Sequence, residues 1–288
     1  MFERIENEYL KVEISPLGAE LKSIFHKQKY QEYLWQGDST WWPRNAPVLF
    51  PIVGKLNNNS YKVDGKKYSL PQHGFARDME FSVFEKAADS IVFELRSNEE
   101  TLAKFPYTFS LKITYRLEEN RLFTNYKVKN LSLEEMYFSI GAHPGFICPM
   151  YENETLEDYY LEFEKKETLQ RHLLDNGLFN GESEIIMTDT SILSLHPKLF
   201  EKDAIVFKNM DSKCMILKSK KSDYRLEFSF EGFPYFGIWQ KPGAPFICLE
   251  PWCGIADNKG FDGSFSEKEG IVKLAGNEVF KRGFSIEV

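Results

Sequence analysis

The strongest constraint on this 288-residue chain is a two-residue period. Phe109, Leu111, Ile113, Tyr115 and Leu117 alternate with polar or small partners, Glu118-Glu119-Asn120 turns the chain, and Leu122, Thr124, Tyr126 and Val128 alternate again. Successive side chains of a strand point to opposite faces, so each run describes a ribbon with one buried face. Tyr61 and Val63 face Tyr68 and Leu70 across Asp64-Gly65, a dipeptide suited to the positive φ values of a tight hairpin. Tyr224, Leu226, Phe228 and Phe230 form a further run, broken at Gly232-Phe233-Pro234. The 25 Phe and 14 Tyr suit pleated, packed sheets.

Helix signals are few. Ser97-Asn98-Glu99-Glu100 fits a capping box, and Phe105-Pro106 stops that helix within about two turns. No segment holds a 3.6-residue period long enough for alternating βαβ units. No repeat, low-complexity tract or linker divides the chain. The expectation is an all-β fold, a large antiparallel β-sandwich with few short helices, forming one domain over residues 1–288. A chain of this length buries a large core without a metal or disulfide.

Charge and motifs exclude several functions. The net charge of −7 comes with no block of Lys or Arg, which argues against nucleic acid and membrane surfaces. Lys218-Ser219-Lys220-Lys221-Ser222 reads as a solvated hairpin turn. Met1 to Glu8 carry acidic residues where a signal peptide needs an apolar region, and no apolar stretch approaches the ~20 residues that span a bilayer. The four cysteines, at 148, 214, 248 and 253, make no Cys-x-x-Cys pair and read as reduced, mostly buried thiols. A cytoplasmic location is expected. The Cys and His residues lack zinc spacing, Leu49 stands where a phosphate loop ending at Gly54-Lys55 needs its first glycine, and no Gly-x-Ser-x-Gly elbow occurs. The expected chemistry is acid–base work with no cofactor and no metal.

Three islands could carry it: Gln72-His73-Gly74-Phe75-Ala76-Arg77, Gly141-Ala142-His143-Pro144-Gly145-Phe146, and Leu249-Glu250-Pro251-Trp252. Each sets titratable side chains against glycine or proline, in a turn or at the end of an apolar run. His143 follows a strand signal, Tyr137 to Ile140, and precedes Pro144, which biases it towards extended backbone. It is either a reacting group on a stiff platform or a histidine bonded at a sheet corner. His196-Pro197 repeats the dipeptide without that setting. Glu250 closes the apolar run Pro245 to Leu249, so burial should raise its pKa, while a nearby imidazolium would pull it down. Its alternative is a structural ion pair at a sheet rim. Arg77 offers a planar fork of donors to hydroxyl pairs, carboxylates or phosphate, or fixes its own loop by bonding carbonyls. Arg44 follows Trp41-Trp42-Pro43, where a cation beside indoles suits a sugar-binding wall. Trp42 is read as core or interface.

Taken in order, Gly18-Ala19-Glu20-Leu21, Pro47 to Gly54, His73 to Arg77, Gly141 to Pro144 and Glu250 to Trp252 resemble the aldose 1-epimerase (galactose mutarotase-like) superfamily, most closely its LacX-like subgroup. The match covers nearly the whole chain. The resemblance implies a β supersandwich of two large antiparallel sheets, with a sugar in a cleft. It implies that His143 protonates the pyranose ring oxygen and that Glu250 takes the proton of the C1 hydroxyl. The ring then opens, turns about C1–C2 and closes as the other anomer. It further implies that His73, Arg44 and Asp203 bind sugar hydroxyls. His143 must then be protonated while Glu250 is ionised, which their mutual attraction favours and which predicts a bell-shaped pH profile. Gly145 departs from galactose mutarotases, which usually place an aromatic residue after His-Pro. Arg44, Lys55 and Arg77 could instead serve a hexose 6-phosphate. The expected partner is a small sugar, free or phosphorylated, bound by a monomer or homodimer. The alternatives are a sugar-binding or sensing protein on the same fold, which would not need both His143 and Glu250, and a glycoside-cleaving enzyme, which would need paired carboxylates.

Overall fold

The computed structural model describes all 288 residues. Phe109–Glu118 and Arg121–Asn130 are antiparallel partners, in register from Phe109 opposite Asn130 to Glu118 opposite Arg121. Leu111, Ile113, Leu122 and Val128 are fully buried, so the two-residue period marks the core face as expected. The Ser60–Val63 and Lys66–Ser69 hairpin turns on Asp64 (φ 49°) and Gly65 (φ 74°). Tyr61 faces Tyr68, but Val63 faces Lys66 and not Leu70, because a two-residue turn leaves no slack in the register.

This hairpin stays a two-stranded sheet of its own. The longer ribbon joins a fifteen-stranded sheet, and a separate four-stranded sheet is built from the first strands of the chain. Both feed one core of 66 buried residues, in which Val12, Leu21 and Ile24 of the small sheet meet the faces carrying Phe93 and Leu111. All of the strand pairings are antiparallel and helix is minor, so the fold is all-β. The one α-helix, Glu99–Lys104, starts a residue later than the sequence suggests. Asn98 caps it and Thr101 completes the box, because Ser97, just past the strand that ends at Arg96, is committed to Phe109, whose N–H its Oγ accepts (3.1 Å).

The strand Phe246–Cys253 positions the chemistry. All eight of its residues are buried. It pairs with Tyr235–Trp239 on one side, and with both Ile140–Ala142 and Gly145–Ile147 on the other. Glu250 therefore lies inside a strand and does not close one. Pro251, which has no N–H to give a ladder, sits where the partner changes from Gly145–Ile147 to Ile140–Ala142. The expected strand through Tyr137 to Ile140 is also split. Met136–Phe138 pairs with Val272–Leu274, and Ser139 leaves the ladder to bond the Pro51 carbonyl (2.7 Å). Gly141 lies opposite Trp252 and Gly145 opposite Cys248, so His143, in the gap between the short strands, faces Glu250. Gly141 and Gly237 seat the Trp252 indole: a Cβ at either would stand 2.6 or 2.5 Å from that ring.

Candidate active site

The register brings His143 Nε2 to 3.3 Å from Glu250 Oε2. The two residues are 9% and 1% exposed, and both line a cavity of about 360 Å³. That volume lies within the roughly 300–1,000 Å³ typical of small-molecule sites. One Glu250 oxygen and His143 Nδ1 are buried without a hydrogen-bond partner.

Burial dominates the electrostatics. It pulls the His143 pKa down to about 3; its own backbone carbonyl opposes the change, and the positive charges of Arg77 and Arg44 add to it. Burial likewise pushes Glu250 well above the usual carboxylate range, helped by the negative charge of Asp203 and opposed by the Trp252 side chain. Both shifts favour the uncharged pair, opposite to the ionised pair that mutual attraction alone would give. The reason is solvent loss: one close ion pair at 3.3 Å does not replace the hydration stripped from both groups.

The structure gathers most of the site residues picked out in the sequence. His73, with φ 67°, lines the cavity, its ring edge-on to His143 at 5.7 Å between centroids. The Gly54 N–H donates to His73 Nδ1 (3.2 Å), which leaves Nε2 to carry the proton beside Gln72 (3.3 Å). Burial first, then the charge a protonated His143 would bring beside it, and the positive charges of Arg77 and Arg44 hold His73 well below its ordinary pKa, so it is a neutral donor. Arg77 lines the cavity and donates from Nη2 to the Gln72 carbonyl (2.7 Å). Asp203 lines the opposite part with φ 72°, its Oδ1 accepting the Ala204 N–H (2.8 Å).

Arg44 and Lys55 are not on the cavity wall. Arg44 pairs with Asp78 at 2.7 Å, and Lys55 Nζ donates to the Asn176 carbonyl (3.0 Å). Asp78 also stands 3.7 Å from Arg77 Nε, so one carboxylate balances both guanidinium groups. Cys248, on the face of the strand that carries Glu250, brings its thiol within 4.8 Å of His143 and Glu250, the one cluster with three potential metal donors. Burial holds that thiol well above its ordinary pKa, in the protonated form that ligates poorly.

The sequence reading offered the indoles beside Arg44 as a sugar-binding wall but missed the rest of the aromatic lining. Trp42, Trp239 and Trp252 line the cavity, as do Leu174, Gly177 and Phe179 from the tip of the long hairpin Tyr159–Asp175 and Leu178–Ser194. Trp42 packs half-buried against the small core cluster around Phe246, as a core reading expects, and in addition lies over His143 on the cavity wall. The hairpin did carry a signal that went unused, the turn dipeptide Asn176-Gly177 (φ 53° and 79°); its tip is held at the cavity where the Phe179 N–H bonds the Asp257 carbonyl (2.9 Å) and the Phe179 carbonyl accepts the Lys259 N–H (2.8 Å).

Similarity to known proteins bears on the family and the fold. A family model described as aldose 1-epimerase matches residues 3–276. The chromosomal protein LacX of Lactococcus lactis subsp. lactis is 34% identical over 294 residues, covering 99% of this chain and 98% of LacX. The crystal structure of a galactose mutarotase related enzyme from Lactobacillus acidophilus is 37% identical with a TM-score of 0.95, covering 100% of this chain and 97% of that one. A galactose mutarotase-like protein from Lactobacillus casei is 34% identical with a TM-score of 0.94, covering 100% and 99%.

Proposed function

The chain belongs to the aldose 1-epimerase family of isomerases, and from that premise we propose that it interconverts the α and β anomers of a free aldohexose between His143 and Glu250. The observation that carries the reading is the buried imidazole–carboxyl contact of 3.3 Å on the wall of a sugar-sized cavity.

The resting pair holds two exchangeable protons without net charge, one on each group. Moving the carboxyl proton to the imidazole leaves the count unchanged and yields the imidazolium and carboxylate that ring opening needs. A bound sugar favours that form, because its ring oxygen accepts from the imidazolium and its C1 hydroxyl donates to the carboxylate. The imidazolium proton passes to the ring oxygen as the C1–O bond breaks, and Glu250 removes the hydroxyl proton as the aldehyde forms. Rotation about C1–C2 and the reverse transfers complete the exchange. His73, as a neutral donor, and Asp203 line the same cavity and would bind sugar hydroxyls.

A free sugar suits the cavity better than a 6-phosphate. Arg44 and Lys55 are engaged with Asp78 and the Asn176 carbonyl, and Arg77 gives one of its donors to Gln72. A phosphate would have to displace these contacts before gaining its own. Saturation exchange by NMR between anomers of glucose, galactose and their 6-phosphates tests this reading. Acceleration for a free hexose, lost in His143→Asn, is expected. No acceleration on any sugar, with binding intact, would leave a sugar-binding protein instead.

Acidity gives a second test. The pair works with two protons, so its acid limb is the uptake of a third, near pH 3 by the His143 value. The alkaline limb is the loss of the second, above the ordinary carboxylate range. Enzymatic kcat/KM is expected to hold its plateau as pH falls from 7 to about 4, below the ordinary histidine value of about 6.5. A half-maximal loss near that ordinary value, measured after subtracting the spontaneous rate, would contradict it.

A further inference from the structure

His143 lacks the tether from another residue that usually aims a working imidazole. A reacting histidine is ordinarily oriented by a hydrogen bond at its other ring nitrogen. Here Nδ1 is buried with no well-formed hydrogen bond, its own backbone carbonyl being the one main-chain acceptor that acts on the ring, and Nε2 faces Glu250. Packing must do the aiming. The ring lies under Trp42, with 4.8 Å between centroids and 29° between planes. Trp239 (5.6 Å, 76°) and His73 (5.7 Å, 86°) meet it edge-on, so neither covers its face.

Trp42 is itself held firmly. Its N–H donates to the Asp38 carbonyl (2.9 Å), and its carbonyl accepts the Trp35 indole N–H (2.9 Å). Lys241 Nζ, from the loop before the Glu250 strand, donates to the Thr40 and Trp41 carbonyls at 3.1 Å each. The Trp42 ring also stacks on Phe246 (5.6 Å, 23°). Its approach to His143 depends on an absent side chain. A Cβ at Gly145 would stand 3.1 Å from Trp42 Cζ3 and 3.2 Å from Trp35 Cβ, tighter than ordinary contact.

We infer that Trp42 is the positioning residue for His143, and that Gly145 is glycine because a side chain there would press on the indole and shift it from its seat over the imidazole. The indole face shields one side of the ring from water. The kinetic part of this inference rests on His143 as the acid of the proposed function; the geometric part does not.

The test reads His143 directly, from its ring C–H resonance followed through a pH titration. In the wild type the indole ring current displaces that resonance, and the displacement should vanish in Trp42→Ala and largely persist in Trp42→Phe. The His143 pKa should rise towards its ordinary value in Trp42→Ala as water reaches the ring. For anomer exchange, kcat should fall about 10- to 100-fold in Trp42→Ala with KM little changed, and recover in Trp42→Phe. Gly145→Ala should move all these readouts the same way, yet add less than about twofold in the Trp42→Ala background. An unmoved His143 resonance and pKa in Trp42→Ala would overturn the inference. So would a Gly145→Ala effect of equal size in both backgrounds. A wild type without turnover would count against the proposed function alone, because the resonance and pKa still decide the positioning.

Discussion

Glu250→Gln is expected to lower kcat/KM for anomer exchange by about 10²–10⁴-fold while making the folded protein more stable at neutral pH. The kinetic loss follows from removing one positioned proton-transfer group. Glutamine keeps the shape of the neutral carboxyl and can neither accept nor release the proton. The gain in stability follows from the raised pKa of Glu250. In the unfolded chain this carboxyl ionises near its ordinary value, about 4.3, whereas the folded protein keeps it protonated to a higher pH. Between those two values the unfolded state binds fewer protons, so stability falls as pH rises. Glutamine removes that fall. Thermal unfolding at pH 4 and pH 7.5 decides the matter: the variant should match the wild type at the lower pH and exceed it at the higher. Each kcal/mol relieved adds about 2–4 °C to Tm. An equal offset at both pH values would mean that the effect is not the titration of Glu250.

Gly74→Ala should produce the largest loss of stability among single methyl additions near the site. Gly74 has φ 72°, and a Cβ there would stand 2.3 Å from the Phe50 carbonyl oxygen. That oxygen accepts the Phe75 and Ala76 N–H groups, both at 3.1 Å, which hold the loop bearing His73 and Arg77 against the core. The methyl must push the carbonyl away or tilt the loop. Left-handed strain of about 1–2 kcal/mol then adds to a backbone clash, for a total near 3–5 kcal/mol, among the larger effects of single substitutions. The expected fall in Tm is roughly 6–20 °C, with sugar binding weakened as His73 shifts. Gly65→Ala separates the two causes. Gly65 has a similar φ of 74° but nothing within 4 Å of its Cβ position, so only the strain should appear. Equal losses in the two variants would show that the clash at Phe50 is relieved without penalty.

How much of this was readable beforehand depended on the range of the interactions. The period through Phe109 to Val128 is a local consequence of a half-buried ribbon, and it held residue by residue. The capping signal was placed one residue early because Ser97 bonds Phe109, a partner twelve positions away that no local pattern reveals. The islands at His73, His143 and Glu250 stood out because glycine or proline beside a titratable group is a local oddity. That they line one cavity depends on sheet register, which sequence does not display. Register also hid the position of Glu250 within its strand and the descent of Trp42 onto His143, since the space for that indole is made by a glycine 103 positions later.

The two strands that hold the pair also bracket a long excursion. The chain leaves after Ile147 and returns at Phe246, yet the two ends remain neighbours in one ladder. The separation of His143 from Glu250 is set by hydrogen bonds between those ends and is indifferent to the length of chain between them. Insertions and deletions in the parts of the excursion outside Asp203 and Tyr235–Trp239, which adjoin Glu250, should therefore leave that separation unchanged. Its hairpin tip supplies Leu174 and Phe179 to the cavity, so changes there would remodel the cavity wall. The spacing of the two side chains belongs to the ladder, and the shape of the cavity around them can vary with the hairpin.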